Sequence, residues 1–191
     1  MIKLTRKFLI LLTNMIRITG GENRSRLLET PNTSLTKPTM DKVRAAVFNA
    51  LGDAVRNARI LDLFAGSGSY GFESLSRGAK EATFVDVSYD AIKSIKKNAE
   101  NLNRKNVAIF NNDVLEFLNQ NSQEFDIIFA DPPYKLDIYE NVVKTLLERK
   151  ILADGGIIVL ESERELKIDE TQFKSVRFYK YGLAKIYILR K

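Results

Sequence analysis

Cysteine, histidine and tryptophan are all missing from the 191 residues. Without imidazole or thiol the chain cannot build a histidine base, a Ser-His-Asp or Cys-His nucleophile, an ordinary zinc site or a disulfide. Chemistry therefore falls to carboxylates, hydroxyls, amines and the backbone, and no metal is expected. The missing cysteines agree with a reducing compartment, so a cytoplasmic location is expected. Long apolar runs are also lacking. The five apolar residues from Phe8 to Leu12 fall short of the ~20 that cross a bilayer and of the ~7–15 of a secretory signal. No membrane association is expected. Glycine and proline are few, at 10 and 4, while hydrophobic residues make up 45%, which excludes disordered and collagen-like classes. The length suits one domain with an appendage.

Charge is unevenly spread. The net charge is +6, and residues 1–44 hold nine basic side chains against three acids, while the other 147 residues carry 21 of each sign. A basic arm on a neutral body suggests a polyanionic partner, the alternative being a solvated tail. Within the arm, residues 1–14 (MIKLTRKFLILLTN) read as a leader, and Met15 offers a second start. The leader is expected to be a poorly ordered extension or a product of start-codon choice. Residues 15–52 read as a basic arm followed by a helix, and 53–191 as the main domain.

The rest of the chain alternates. Short apolar runs at 60–64, 82–87, 107–110, 126–130 and 156–160 predict buried strands, and helices are predicted near 69–77, 89–103, 113–120 and 137–150. The stripe Ile92, Ile95, Ala99, Leu102 is the clearest helical face, and Val43, Ala46, Val47, Ala50 and Leu51 mark another over 40–52. This order predicts an α/β fold with an open parallel sheet covered on both sides. Segments 173–179 and 184–190 have no helix between them, so a hairpin turning at Tyr181-Gly182 should close one edge antiparallel.

The first strand runs into Asp62-Leu63-Phe64-Ala65-Gly66-Ser67-Gly68-Ser69-Tyr70-Gly71, a Gly-x-Gly-x-x-Gly turn before a helix. Such glycines let a ligand approach backbone amides at a helix start. Asp86 ends the second strand, where a carboxylate can accept both hydroxyls of an adenosine ribose. Asp62 argues against a dinucleotide: a pyrophosphate wants positive potential, whereas a carboxylate suits a cationic amino-acid moiety such as that of S-adenosylmethionine (AdoMet). Asp113 is placed to meet the adenine amino group, to cap the following helix, or both.

The sharpest signal is Asp131-Pro132-Pro133-Tyr134 at the carboxyl end of the fourth strand, where open sheets bind ligands. Two prolines forbid helix and ladder bonds. They stiffen a loop whose carbonyls and Asp131 can face one exocyclic amino group while Tyr134 stacks on its base.

The Asp-Leu-Phe-Ala-Gly-Ser-Gly loop, Asp86 and the Asp-Pro-Pro-Tyr tetrapeptide resemble those of AdoMet-dependent amino-methyltransferases. More narrowly, residues 16–21 (IRITGG), 37–44 (KPTMDKVR), Phe48-Asn49 and Gly66 to Gly71 resemble the RsmD family of 16S rRNA guanine-N2 methyltransferases. The resemblance covers about residues 15–191. Lys37 stands where the family often has Arg, and Tyr134 where some members have Phe. It implies a Rossmann-like seven-stranded, mostly parallel methyltransferase sheet with AdoMet as methyl donor. The acceptor it implies is one guanine of 16S rRNA, presented as free RNA or in a small-subunit assembly intermediate. It carries cofactor roles to Asp62, Phe64, Ala65, Gly66, Gly68, Asp86, Val87, Asp113 and Val114, and catalytic roles to Asp131, Pro132, Pro133 and Tyr134. Arg17, Arg24, Arg26 and Lys37 would grip phosphates. The chain is expected to act as a monomer.

In-line methyl transfer from a sulfonium asks chiefly for positioning. Asp131 and the Pro132 carbonyl are expected to accept from the amino group and free its lone pair, with Tyr134 holding a base flipped from its stack. Three other readings stand beside this one. They are methylation of another amino group such as adenine N6 in RNA or DNA, an NAD(P)-dependent oxidoreductase, and a non-catalytic RNA-binding module. The oxidoreductase gives no role to Asp62 or the tetrapeptide.

Overall fold

A computed structural model describes residues 15–31, 39–133 and 136–191, with Thr39 and Met40 described by backbone alone. The leader, Lys37 and Tyr134 lie outside these residues. Seven strands form one sheet: β3 (Arg59–Leu63), β4 (Glu81–Asp86), β5 (Val107–Asn111), β6 (Phe125–Ala130), β7 (Leu152–Ser162), β8 (Ser175–Tyr181) and β9 (Ala184–Arg190). Their spatial order is β5-β4-β3-β6-β7-β9-β8. The first five are parallel, and β9 pairs antiparallel with both β7 and β8. The expected hairpin is present: Tyr181 pairs with Ala184, and Gly182 takes the positive φ of 63° that a primed two-residue turn needs. Its return strand β9, not β8, fills the place beside β7.

Five α-helices are described: α1 (Thr39–Leu51), α2 (Ser69–Ser76), α3 (Tyr89–Asn101), α4 (Val114–Gln120) and α5 (Tyr139–Glu148). Strand alternation divides the sheet residues between two cores. Ile60, Phe84, Ile127, Phe129, Ile157 and Val159 face α1, α2 and α3, packing against Val43, Val47, Phe72 and Ile95. Leu61, Leu63, Val85, Ile128 and Leu160 face α4 and α5, against Leu118, Val142 and Leu146. Each such side chain, fully buried, contributes about 1.5–3 kcal/mol. The α3 stripe behaves as expected, with Ile92, Ile95, Ala99 and Leu102 buried. Ser88 and Asp113 cap α3 and α4 with their side chains.

β7 begins earlier than the sequence suggests. Phe125 pairs with Leu152 but Ile127 with Ile157, so Ala153 to Gly156 form a bulge within the strand. The Asp-Gly-Gly there reads as a turn in sequence because it supplies that irregularity.

A second, two-stranded sheet, β1 (Met15–Arg17) with β2 (Leu27–Glu29), lies in the arm. It is sewn onto α2 and α3. Glu73 of α2, fully buried, accepts from the Thr19 amide and hydroxyl at 2.7 Å each, from Arg77 at 2.9 Å and from Arg44 of α1 at 3.4 Å. Arg44 is itself 2% exposed and also donates to the Arg17 carbonyl. Asn98 of α3 exchanges hydrogen bonds with the Glu29 backbone and donates to the Ser67 carbonyl at 3.0 Å. The arm and the glycine turn therefore share anchors.

Candidate active site

The strand order reverses between β3 and β6, both of which leave the sheet upward on the same side, and open sheets bind ligands at such a point. Register aligns the tips. Leu63 pairs with Val85 and with Ala130, and Ala130 pairs with Leu160. The next residue of each strand therefore falls in one row: Asp86, Phe64, Asp131 and Glu161.

Asp62 sits one turn of the pleat below this row, 3% exposed, on the face toward α2. Its Oδ2 accepts the Gly71 amide at 2.9 Å. A side chain at Gly71 would overlap the Phe84 ring, so glycine is what lets α2 lie this close to β3. Burial pushes the Asp62 carboxyl up to about 8, against the pull of the Gly71 N–H, and the Asp86 charge adds to the rise. Phe64 takes a positive φ of 55°, an uncommon conformation for a bulky residue, and turns the chain from strand to loop. Gly68 follows with φ of 76°, and a Cβ there would stand 2.8 Å from Phe72.

Asp86 closes the other side of the turn. Its Oδ2 accepts the Gly66 amide at 2.8 Å and its Oδ1 the Ser88 amide at 2.8 Å. Ala65 is buried in the core, while Val87 stands 71% exposed beside the turn. Asp113 caps α4, its Oδ1 accepting from Leu115 and Glu116 at 2.8 and 3.1 Å. Val114 buries its side chain in the core, which leaves only its backbone for a ligand. Asp62, Gly66, Gly68 and Asp86 are thus brought together, with Val87 and Asp113 at the rim.

On the other side of the reversal, Asp131 keeps some exposure, Pro132 is buried and Pro133 exposed. Burial, reinforced by the charges of Glu161, Asp62 and Glu163, pushes the Asp131 carboxyl well above the usual range. Of the arm residues, Arg17, Arg24 and Arg26 are exposed, and Arg26 reaches the Asn101 carbonyl at 3.1 Å.

The sequence reading missed Glu161. It is 8% exposed, its Oε2 accepts the Tyr70 hydroxyl at 2.6 Å, and its own carbonyl accepts the Tyr139 hydroxyl at 2.8 Å. Tyr70 in turn stacks on Phe129, with centroids 4.7 Å apart. The only signal in sequence was an acid closing a strand in Val159-Leu160-Glu161-Ser162-Glu163. Nothing there says that this strand lies next to the one bearing Asp131.

The donor set suits a nucleoside linked to a cationic group. The Gly66 and Gly71 amides fix one carboxylate on each of two adjacent strands around the turn, and no metal-ligand cluster is present among the described residues.

A family model described as Conserved hypothetical protein 95 matches residues 16–190. Ribosomal RNA small subunit methyltransferase D of Escherichia coli is 37% identical over 153 residues, covering 80% of this chain and 77% of the relative. The solved structure of Escherichia coli YhhF superposes with a TM-score of 0.84 at 33% identity, covering 93% of this chain and 98% of that one. The 16S rRNA N2 methyltransferase RsmC of Thermus thermophilus, solved with AdoMet and guanosine, gives a TM-score of 0.74 at 25% identity. That match covers 93% of this chain and 49% of RsmC.

Proposed function

The chain belongs to the RsmD family, whose model is described as Conserved hypothetical protein 95, and on that premise we propose that it methylates the exocyclic N2 amino group of a guanine in 16S rRNA. AdoMet, when bound, supplies an electrophilic methyl group on a sulfonium. The observation that carries the reading is the juxtaposition, across the strand reversal, of the Asp62-to-Gly71 turn with Asp131-Pro132-Pro133. The names of the relatives support an rRNA acceptor, and the RsmC complex supports guanine.

Gly66 and Gly68 offer backbone close to the ligand, Asp86 would accept from the ribose hydroxyls, Asp113 would accept from the adenine amino group, and the Val114 N–H, at the first turn of α4, would donate to a ring nitrogen. Asp62 would balance the cationic end, a role that a cation nearby strengthens by drawing its carboxyl toward ionisation. The Asp131 carboxylate and the Pro132 carbonyl would accept from the guanine amino group, drawing its lone pair out of conjugation, and Asp131 or water would take the proton that N2 loses as it gains the methyl group. Tyr134 would stack on the flipped base, worth ~1–3 kcal/mol. The exposed Arg17, Arg24 and Arg26, with Lys37, would hold phosphates and set orientation rather than read sequence.

Asp131→Ala tests this assignment. Methyl transfer to 16S rRNA should fall by about a hundredfold or more, while AdoMet affinity stays within about threefold, less than the loss of one charged hydrogen bond. Undiminished turnover would overturn the role of Asp131.

A further inference from the structure

We propose that Glu161 is a specificity-determining residue of the acceptor site: its carboxylate accepts the N1–H of guanine while Asp131 accepts from the neighbouring N2 amino group. The inference rests on the guanine-N2 reading above and adds the residue that tells guanine from adenine.

The placement comes from register. Ala130 of β6 pairs with Leu160 of β7, so Asp131 and Glu161 are the next residues on adjacent parallel strands. Phe129 and Val159 face α1 and α2, and two residues further the pleat returns Asp131 and Glu161 to that same face. Adjacent strands lie about 4.8 Å apart, so side chains from neighbouring positions on the same face can converge on adjoining donors of one base edge. The charge of Glu161 acts directly on Asp131.

Glu161 is held as a functional group is held. The Tyr70 hydroxyl of α2 donates to its Oε2 at 2.6 Å, and the Tyr139 hydroxyl of α5 donates to its carbonyl at 2.8 Å, so the residue is fixed from both faces of the sheet. Yet no cation lies within ion-pair distance among the described residues: Arg44 acts on it only from further off, and its neighbours Asp131 and Glu163 are acids. Burying a carboxylate beside another without a paired counterion costs stability. A ligand that brings donors to both acids accounts for that arrangement.

Guanine brings such donors. Its Watson–Crick edge presents N1–H and N2–H side by side, which two acceptors satisfy, whereas adenine sets an N1 acceptor beside its amino group. An acceptor-only carboxylate facing that lone pair would repel it. The Asp-Pro-Pro loop alone accepts from either amino group, so the discrimination must come from a second group, and Glu161 is the polar side chain that β7 supplies next to Asp131. A site built to accept a hydrogen bond rejects an analogue lacking the donor far better than an apolar pocket does.

The test uses two versions of the acceptor RNA, carrying guanine or 2-aminopurine at the methylated position once nucleoside mapping has located it. 2-Aminopurine keeps the amino group but has a lone pair at N1. The full chain should prefer guanine strongly. In Glu161→Gln the amide can donate to that lone pair, so the guanine to 2-aminopurine ratio of kcat/KM should fall by about tenfold to a hundredfold. AdoMet affinity, measured by calorimetry, should change little. Parallel loss on both RNAs with the ratio intact would make Glu161 structural and overturn the inference. A large loss of AdoMet affinity at constant ratio would assign it to the donor and overturn it equally. If Glu161→Gln no longer unfolds cooperatively, Tyr70→Phe carries the test. Releasing the carboxylate should narrow the same ratio, and an unchanged ratio would overturn the proposal. Should the mapping find the label in a base other than guanine, or find none while AdoMet still binds, the guanine-N2 reading itself fails and the inference falls with it.

Discussion

The Gly71 amide donates to Asp62 Oδ2 at 2.9 Å, tying the first turn of α2 to the middle of a buried strand. The carboxyl that accepts it is pushed up to about 8 by burial. An unfolded chain ionises the same group near 3.8, so between these values the folded protein holds a proton that the unfolded one has released.

Stability of the ligand-free protein should therefore decline as pH rises from about 4 to about 8 and level off above. Asp131 and Glu161 are raised too and act in the same direction. Asp62→Asn, whose amide oxygen still accepts from Gly71, should flatten the slope, as read by urea unfolding at several pH values. An unaltered slope would mean that Asp62 does not titrate in this window.

Asp86→Ala should weaken AdoMet binding by about tenfold or more, the cost of a charged hydrogen bond, in calorimetry. It removes the acceptor for Gly66 and Ser88 as well, so circular dichroism should confirm an intact fold. Undiminished affinity would move the ribose site elsewhere.

Arg44→Met should destabilise the fold by about 3 kcal/mol, because it strips a buried partner from Glu73 and leaves Arg77 to balance it alone. Urea denaturation measures this directly. A loss below about 1 kcal/mol would place the pair among ordinary surface bridges.

Much of this was legible in the chain. The alternation of short apolar runs and the α3 stripe gave strands and helices, because burial on both faces of a parallel sheet leaves continuous apolar segments. Tyr181-Gly182 announced the hairpin through the one residue that takes a positive φ cheaply. The hairpin could not say which of its strands would lie against β7. Asp62 and Asp86 were found because the glycine turn fixes their spacing. Glu161 was not, since its nearness to Asp131 depends on the order of strands far apart in the chain. The Arg44–Glu73 pair and the Asn98 bridge escaped for the same reason: they join segments distant in sequence, and only packing brings them together.

Replacing Arg17, Arg24 and Arg26 by alanine should flatten the dependence of log affinity for 16S rRNA on log salt, by about 0.7–0.9 for each phosphate that is no longer neutralised. Filter binding over a salt series measures the slope. A slope unchanged from that of the unaltered chain would return the arm to a solvated surface.

Guanine-N2 methylation is measured by transfer of a tritiated methyl group from AdoMet to small-subunit particles and to naked 16S rRNA from cells lacking the endogenous modification, followed by nucleoside analysis. Label is expected in N2-methylguanosine and is expected to be lost with Asp131→Ala; label in another nucleoside, such as N6-methyladenosine, would exclude guanine N2 as the acceptor. Transfer that survives Asp131→Ala would contradict the role of Asp131.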